Sequence, residues 1–246
     1  MLTPPPLNLW SCPRNVSTAM MYSFAQRPDC RVWDEPLYAH FLRVTGVDRP
    51  DREATLAARD ADGERVIRED LLAEHATEPP LRLFKHISNQ FQQLDPAWLG
   101  RLGRHVIFIR HPARIVASYA RVIEAPTLDD VAMDRCAAMF RKLRMLRLQP
   151  LVLDSRDLLE QPEAMLRALC GALDIPFYPA MLHWTPGPRP EDGPWAQYWY
   201  HSLHQSSGFN PPERPLPELH GHLAALSEAC LPAYAYLQQF CLKAQG

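Results

Sequence analysis

Apolar positions along the chain fall into two alternating rhythms. Short apolar runs bounded by proline or polar residues read as strands, and stripes recurring every three to four positions read as helices. The first run, Leu7-Asn8-Leu9-Trp10-Ser11-Cys12, stops at Pro13 as a buried strand does. From Ser17 to Gln26, apolar residues at 19, 20, 21, 24 and 25 form a helical stripe that Ser17 or Thr18 can cap. Cys30–Asp34 predicts a second strand, stopped by Pro36. Residues 50–76 are charged, helix-prone and interrupted at Gly63. Leu81–Ile87 alternates like a strand, and 104–112 has the unbroken apolar centre of a parallel strand covered on both faces. Residues 113–123 and 128–148 predict amphipathic helices. Leu151–Leu153 predicts a strand followed by a helical turn, and 162–173 a helix begun by Pro162 and ending near Gly171. One or two closing helices are expected within 217–243.

Strands that alternate with helices predict an α/β fold, a central parallel sheet with helices on both faces. Ligands of such sheets sit at the carboxyl ends of the strands. Arg14, Glu35, His86 and Arg110 all lie at or just past predicted strand ends, so one sheet edge is expected to gather them.

Composition narrows the function. The formal charge of −2 gives no global pull toward nucleic acid or an anionic membrane, so any anion site must be local. Six cysteines are spread without a C-x-x-C pair and read as free, mostly buried thiols. The start MLTPPPLNLW lacks the basic and apolar regions of a signal peptide, and no apolar stretch reaches membrane-spanning length. A cytoplasmic protein without a membrane or nucleic-acid partner is expected. The whole of 1–246 is expected to form one domain, with an irregular proline- and aromatic-rich loop at 186–217. Trp195, Tyr198, Trp199, Tyr200 and Phe209 favour an ordered loop there.

The chemistry concentrates first in Trp10–Met21, WSCPRNVSTAMM, a strand-loop-helix with a cation. The first of the ten glycines is Gly46, so the loop is neither a Walker A loop nor a dinucleotide fingerprint. A helix N-terminus offers free N–H groups and a positive dipole end, and Arg14 offers a planar fork for phosphate or sulfate oxygens. The alternative is a capped turn with a solvated arginine. A second feature is IRHPARIVASY, where Arg110 follows a strand and Ser118 lies eight residues on. The two can converge on one phosphate, or Arg110 can form a surface ion pair. His201-x-x-His204 and His220-x-His222 lack partners at a structural-zinc spacing, so no metal is expected. Arg101 and Arg104 precede a strand and read as solvated, and Met20, Met21 and Tyr22 read as helix core.

In order, these motifs resemble the sulfotransferases that use 3′-phosphoadenosine 5′-phosphosulfate (PAPS). CPRNVST resembles their 5′-phosphosulfate loop, RHPARIVASY their 3′-phosphate motif, and LVLDSRDLLEQPEAMLRALCGALDIPF a later strand-turn-helix segment, together spanning 7–180. The resemblance implies a three-layer, P-loop-like topology and sulfuryl transfer to a hydroxyl or amine of a small-molecule or carbohydrate acceptor, without a metal. It implies that Arg14 faces the transferring group, that Asn15, Val16, Ser17 and Thr18 form the 5′-phosphate loop, and that Arg110 and Ser118 hold the 3′-phosphate. Adenine contacts are expected from the aromatic loop and Ser206 or Ser207. Val16 stands where the family has glycine, and the family's C-terminal glycine-rich phosphate segment has no counterpart. Asn15 tolerates a left-handed backbone better than a β-branched residue and is the expected turn residue. For the base, the resemblance implies Glu35 first. His86 is second, because Lys85-His86 lacks one residue of the family's Lys-Thr-His. Lys85 reads as a second cation or a surface lysine, and Asp34 as the partner of an arginine. A non-catalytic nucleotide-binding module and a nucleotide-dependent phosphotransferase are the alternatives, the latter opposed by the missing Walker glycines.

Overall fold

A computed structural model of the chain describes residues 4–73, 80–211 and 215–244. Five strands, β1 (Leu7–Ser11), β2 (Cys30–Asp34), β3 (Leu81–Ile87), β4 (Arg104–Ile109) and β5 (Leu151–Asp154), form one parallel sheet in the order β2-β3-β1-β4-β5. All four pairings are parallel, as expected of strands joined by helical crossovers. This is the P-loop-like α/β arrangement, with β1 at its centre.

Helices follow in chain order: α1 (Ser17–Ala25), α2 (Tyr38–Thr45), α3 (Arg52–Ala58), α4 (Gly63–Val66), α5 (Pro112–Tyr119) and α6 (Leu128–Val131). Then come α7 (Met133–Met145), α8 (Ser155–Glu160), α9 (Pro162–Ala172), α10 (Ala196–Trp199), α11 (His201–His204) and α12 (Gly221–Gln238). The strand pleat sends alternate residues to opposite layers. Leu7, Leu9, Leu83, Val106 and Phe108 pack on the side of α1 and α9. Trp10, Phe84, Ile107 and Ile109 pack on the side of α7 and α12. Cover on both faces explains the unbroken apolar run of β4.

Several elements differ from expectation. The helix expected over 128–148 is two, because Ala132 adopts a left-handed backbone with φ 55° between α6 and α7. The helical region after residue 50 is α3, α4 and a π-helical turn at Ile67–Leu71, with a break before Gly63, which begins α4. Its expected end at 74–76, and 212–214 of the proline-rich loop, lie outside the described residues. Within that loop two one-turn helices, α10 and α11, pack by Trp195 and Tyr200 onto Tyr38, Phe41 and Leu42 of α2. Arg104 is not simply solvated, since its guanidinium donates to the Leu173 carbonyl. All six cysteines are free thiols, five of them buried.

Candidate active site at the carboxyl edge of the sheet

The loop after β1 is turned by Arg14, not by Asn15. Arg14 has φ 56°, a left-handed backbone in a residue with a Cβ. Its carbonyl accepts a hydrogen bond from Arg110 Nη1 at 2.6 Å, which anchors the turn to the end of β4. Asn15 supplies side-chain bonds instead. Its Nδ2 donates to the Phe108 carbonyl at 2.5 Å, and its Oδ1 accepts from the Val16 amide at 2.8 Å. Val16 therefore needs no glycine-like backbone: it sits at the start of α1 with φ −74°. Neither Ser17 nor Thr18 caps the helix, since the residue before α1 is Val16, and among the described residues no side-chain cap bond is made there. Ser17 Oγ accepts from Ser11 Oγ at 3.0 Å, and Thr18 bonds Tyr200. The first-turn N–H groups of α1 are left facing the cleft, a positive end suited to an anion.

Arg14 reaches sideways across this edge. Its Nε donates to Ser118 Oγ at 3.0 Å, and its Nη1 donates to the Trp199 carbonyl at 2.7 Å, with the guanidinium carbon 5.5 Å from the centre of the Trp199 ring. Burial lowers its pKa from the usual arginine value. Ser118 gets there because α5 starts at the end of β4. His111 Nδ1 accepts from the Ala113 amide at 3.2 Å, and Pro112 opens the first turn. Thus Arg14, Arg110 and Ser118 form one cluster. The resemblance implies that Arg14 faces the transferring group and Ser118 the 3′-phosphate; in the structure the two are hydrogen-bonded to each other.

A second cluster lies on β2 and β3. Asp34 pairs in register with Lys85, so their side chains share a face. Lys85 Nζ donates to Asp34 Oδ1 at 3.0 Å, to Tyr200 Oη at 3.0 Å, and to Glu35 Oε1. Lys85 is 2% exposed and is no surface lysine. Asp34 is its partner rather than an arginine's. Glu35 also has a left-handed backbone, φ 43°, and its amide still donates to the Lys85 carbonyl at 2.8 Å. That twist returns its side chain to the ammonium instead of the opposite layer. Gln90 Nε2 donates to its second oxygen. Burial raises the Glu35 pKa. Lys85 opposes that rise and the Asp34 charge adds to it. Burial works against the Lys85 ammonium, but Asp34 and Glu35 outweigh it and raise the Lys85 pKa.

His86 does not join the site. Its Nε2 donates to Asn8 Oδ1 at 3.1 Å, and its ring stacks on Trp10 at 4.1 Å, inside the layer under α7 and α12. Burial, with help from His105 and Lys85, pushes its pKa down to about 3, so it is neutral at pH 7. The cause is parity. The family's Lys-Thr-His puts lysine and histidine two apart on one face, whereas Lys85 and His86, one apart, take opposite faces. The expectation of His86 as a base is corrected on this ground.

Both clusters open onto a cleft of about 960 Å³. Glu35, Lys85 and Gln90 line one part, and Arg14, Arg110 and Ser118 another. Tyr38 and Phe41 of α2 and Trp195, Trp199 and Tyr200 of the aromatic loop wall it. Arg49, Arg114, Arg121 and Arg156 also reach it, against Glu35 and Glu160. The cleft is therefore locally basic in a chain of net charge −2. Ser206 lines the wall, but its Oγ is taken up by the Leu203 carbonyl at 2.7 Å and Trp184 Nε1 at 3.2 Å. Ser207 is exposed and does not line the cleft. Gln90, Tyr200 and the Trp199 carbonyl were missed by sequence reasoning. Gln90 carried no spacing signal, Tyr200 was one aromatic among several, and a backbone carbonyl has no sequence signature.

Comparisons with known proteins bear on the family and the fold. A family model described as a sulfotransferase domain matches residues 7–240. A curated Arabidopsis thaliana protein, "Branched-chain-amino-acid aminotransferase-like protein 2", is 40% identical over 235 residues, covering 94% of this chain. The chain spans only 41% of that relative's length, so that name describes a much longer protein. Among solved structures, a sulfotransferase from Alicyclobacillus acidocaldarius superposes with a TM-score of 0.52 at 16% identity, covering 97% of this chain and 96% of that one. The sulfotransferase domain from the curacin biosynthetic pathway gives 0.51 at 16% identity, covering 94% of this chain and 98% of that one. At such identities the structures speak to the fold, and the family match speaks to membership. The chain belongs to the sulfotransferase-domain family.

Proposed function

We propose that the protein transfers a sulfuryl group from PAPS to a hydroxyl or amine of a small-molecule or carbohydrate acceptor. The observation that carries this reading is one basic cleft with two differently equipped parts. One part gathers Arg14, Arg110, Ser118 and the uncapped end of α1. The other holds the buried Glu35 carboxylate beside Lys85.

The residues fit the donor. Its phosphate groups need N–H and guanidinium donors, which the first part supplies without a metal. When bound, PAPS supplies the sulfuryl group. Glu35 takes the proton of the acceptor hydroxyl or amine, and the burial that raises its pKa makes it a stronger base than an exposed carboxylate. Lys85 holds Glu35 in place and puts a positive charge near the developing negative charge. Tyr38, Phe41, Trp199 and Tyr200 exclude water and wall the acceptor. No helix among the described residues is long and apolar enough to cross a membrane. The free thiols favour the reducing cytoplasm as its compartment.

Calorimetry with 3′,5′-adenosine bisphosphate, paired with radiolabelled sulfate transfer onto a panel of alcohols, sugars and amines, tests the reading. Micromolar binding and transfer that needs Glu35 are expected. Absence of nucleotide binding overturns the donor. Binding without transfer to any acceptor points to a nucleotide-binding module, and magnesium-dependent ATP binding points to phosphoryl transfer.

A further inference from the structure

We propose that Asp34 is a positioning residue. With one oxygen it holds Lys85 against Glu35, and with the other it latches the aromatic loop over the cleft. The proposal rests on the sulfuryl-transfer reading for its kinetic consequences, but its geometry stands apart from that reading.

Asp34 is not itself placed to act on a substrate. Its side chain is 0% exposed and does not line the cleft, whereas Glu35 and Lys85 do. Its two oxygens are divided between two tasks. Oδ1 accepts from Lys85 Nζ at 3.0 Å. Oδ2 accepts from Tyr200 Oη at 2.7 Å and from Trp195 Nε1 at 3.0 Å. Trp195 and Tyr200 flank α10, and the Trp199 carbonyl between them accepts from Arg14. The same short segment is thus fastened to the base cluster by Asp34 and to the anion cluster by Arg14. Trp199 Nε1 adds a third tie, to Asp51 Oδ1 at 3.1 Å.

Loss of the latch reaches the base directly. A loop that swings away takes two donors from Asp34 and the Tyr200 hydroxyl from Lys85. Lys85 is then shared by two carboxylates with no other polar partner among the bonds described. A buried polar group stripped of its partners is costly, so the loop and the Lys85–Glu35 pair are expected to order together. The groups that face Glu35 are Lys85 from β3, Asp34 from β2, Tyr38 from α2, Tyr200 from the loop and the neutral Gln90. Of these, Asp34 is the second carboxylate. Its negative charge acts directly on Glu35 and keeps the Glu35 proton affinity up.

The variants Asp34→Asn, Tyr200→Phe and Trp195→Phe test this on the whole protein, by amide hydrogen exchange over residues 195–204 and by the pH profile of kcat/KM. Asp34→Asn is expected to speed exchange of 195–204 about tenfold, the size of one lost hydrogen bond, with the central strands unchanged. It is also expected to lower kcat more than it raises KM, because Lys85 and the loop are less well held, and to move the acid limb of the profile to lower pH, because the Asp34 charge that raises the Glu35 proton affinity is gone. Tyr200→Phe and Trp195→Phe keep every charge, so they are expected to speed exchange of the loop while moving the acid limb less. Unchanged exchange in all three variants overturns the latch. An acid limb that Asp34→Asn leaves in place, or moves upward, overturns the positioning role. A wild-type protein without transfer activity sinks the parent reading instead, and the exchange measurements then decide the latch alone. If Asp34→Asn does not fold, the two aromatic variants carry the exchange test.

Discussion

Lys85 and His86 are neighbours on β3 and equally hidden from water, but their surroundings have nothing in common. Lys85 meets two carboxylates and a phenol and keeps its charge. His86 meets an indole and an amide and loses its charge, with a pKa of about 3. Burial by itself disfavours the charged form of both groups, so the difference lies in the partners each face supplies. A buried ionisable group is thus a poor pointer to chemistry until its partners are known. Trp10 sits opposite His86 in the β1–β3 register, and Asp34 sits opposite Lys85 in the β2–β3 register. The pleat delivers an aromatic to one face and an acid to the other.

The largest effect that separates the two faces comes from Lys85→Met. It leaves Asp34 and Glu35 buried together without a cation, and a loss of about 3–5 kcal/mol in unfolding free energy is expected from urea melts at pH 7. A near-neutral result would mean that the carboxylates relax to water and that the cluster is not buried as described. Glu35→Gln keeps the shape and removes the base. Sulfuryl transfer is expected to fall on the order of 10²–10⁴-fold while calorimetric affinity for the bisphosphate nucleotide holds. Equal loss of both would move Glu35 from proton transfer to ligand binding.

Arg14→Ala probes the other part of the cleft. A charged hydrogen bond of this type is worth about 1.5–3 kcal/mol, so nucleotide affinity is expected to drop roughly 10–100-fold. A variant that binds normally but does not turn over would place Arg14 at the transferring group, the role the resemblance implies. His86→Phe is the smallest change and concerns pH. The folded-state pKa of His86 is depressed, so its contribution is complete above the unfolded value and is lost as pH falls from about 6.5 toward about 3. Between pH 7 and pH 5 the wild type is expected to lose about 2 kcal/mol through this residue. Paired melts at the two pH values should show that loss removed in the variant. A slope of nearly the same size remains from His105, whose pKa burial lowers to about 4. An unchanged slope would mean that His86 already titrates normally.

The fold was legible because its periodicities are local. The five strands and the helices α1, α5, α9 and α12 are where apolar spacing and proline place them. The break at Ala132 was hidden because alanine is a strong helix former and nothing nearby marks a left-handed residue. In the candidate site, the presence of Arg14, Arg110, Ser118, Glu35 and Lys85 at one edge followed from their positions after strands. Their partners did not. The bond from Arg14 to Ser118 joins residues 104 apart, and that from Tyr200 to Asp34 joins residues 166 apart. A side chain's choice among such partners depends on loop paths that leave no periodic trace.

The sequence by itself determined the strand-helix alternation, the parallel sheet, and a glycine-free loop ending in a helix with an arginine before it. Only the tertiary structure decided which residue turns that loop, which carboxylate meets Lys85, and that His86 is core. Local patterns set which face a residue takes within its own strand. Only the packed strands and the folded-over loop set what waits on that face, and the partners there decide whether a buried group keeps its charge.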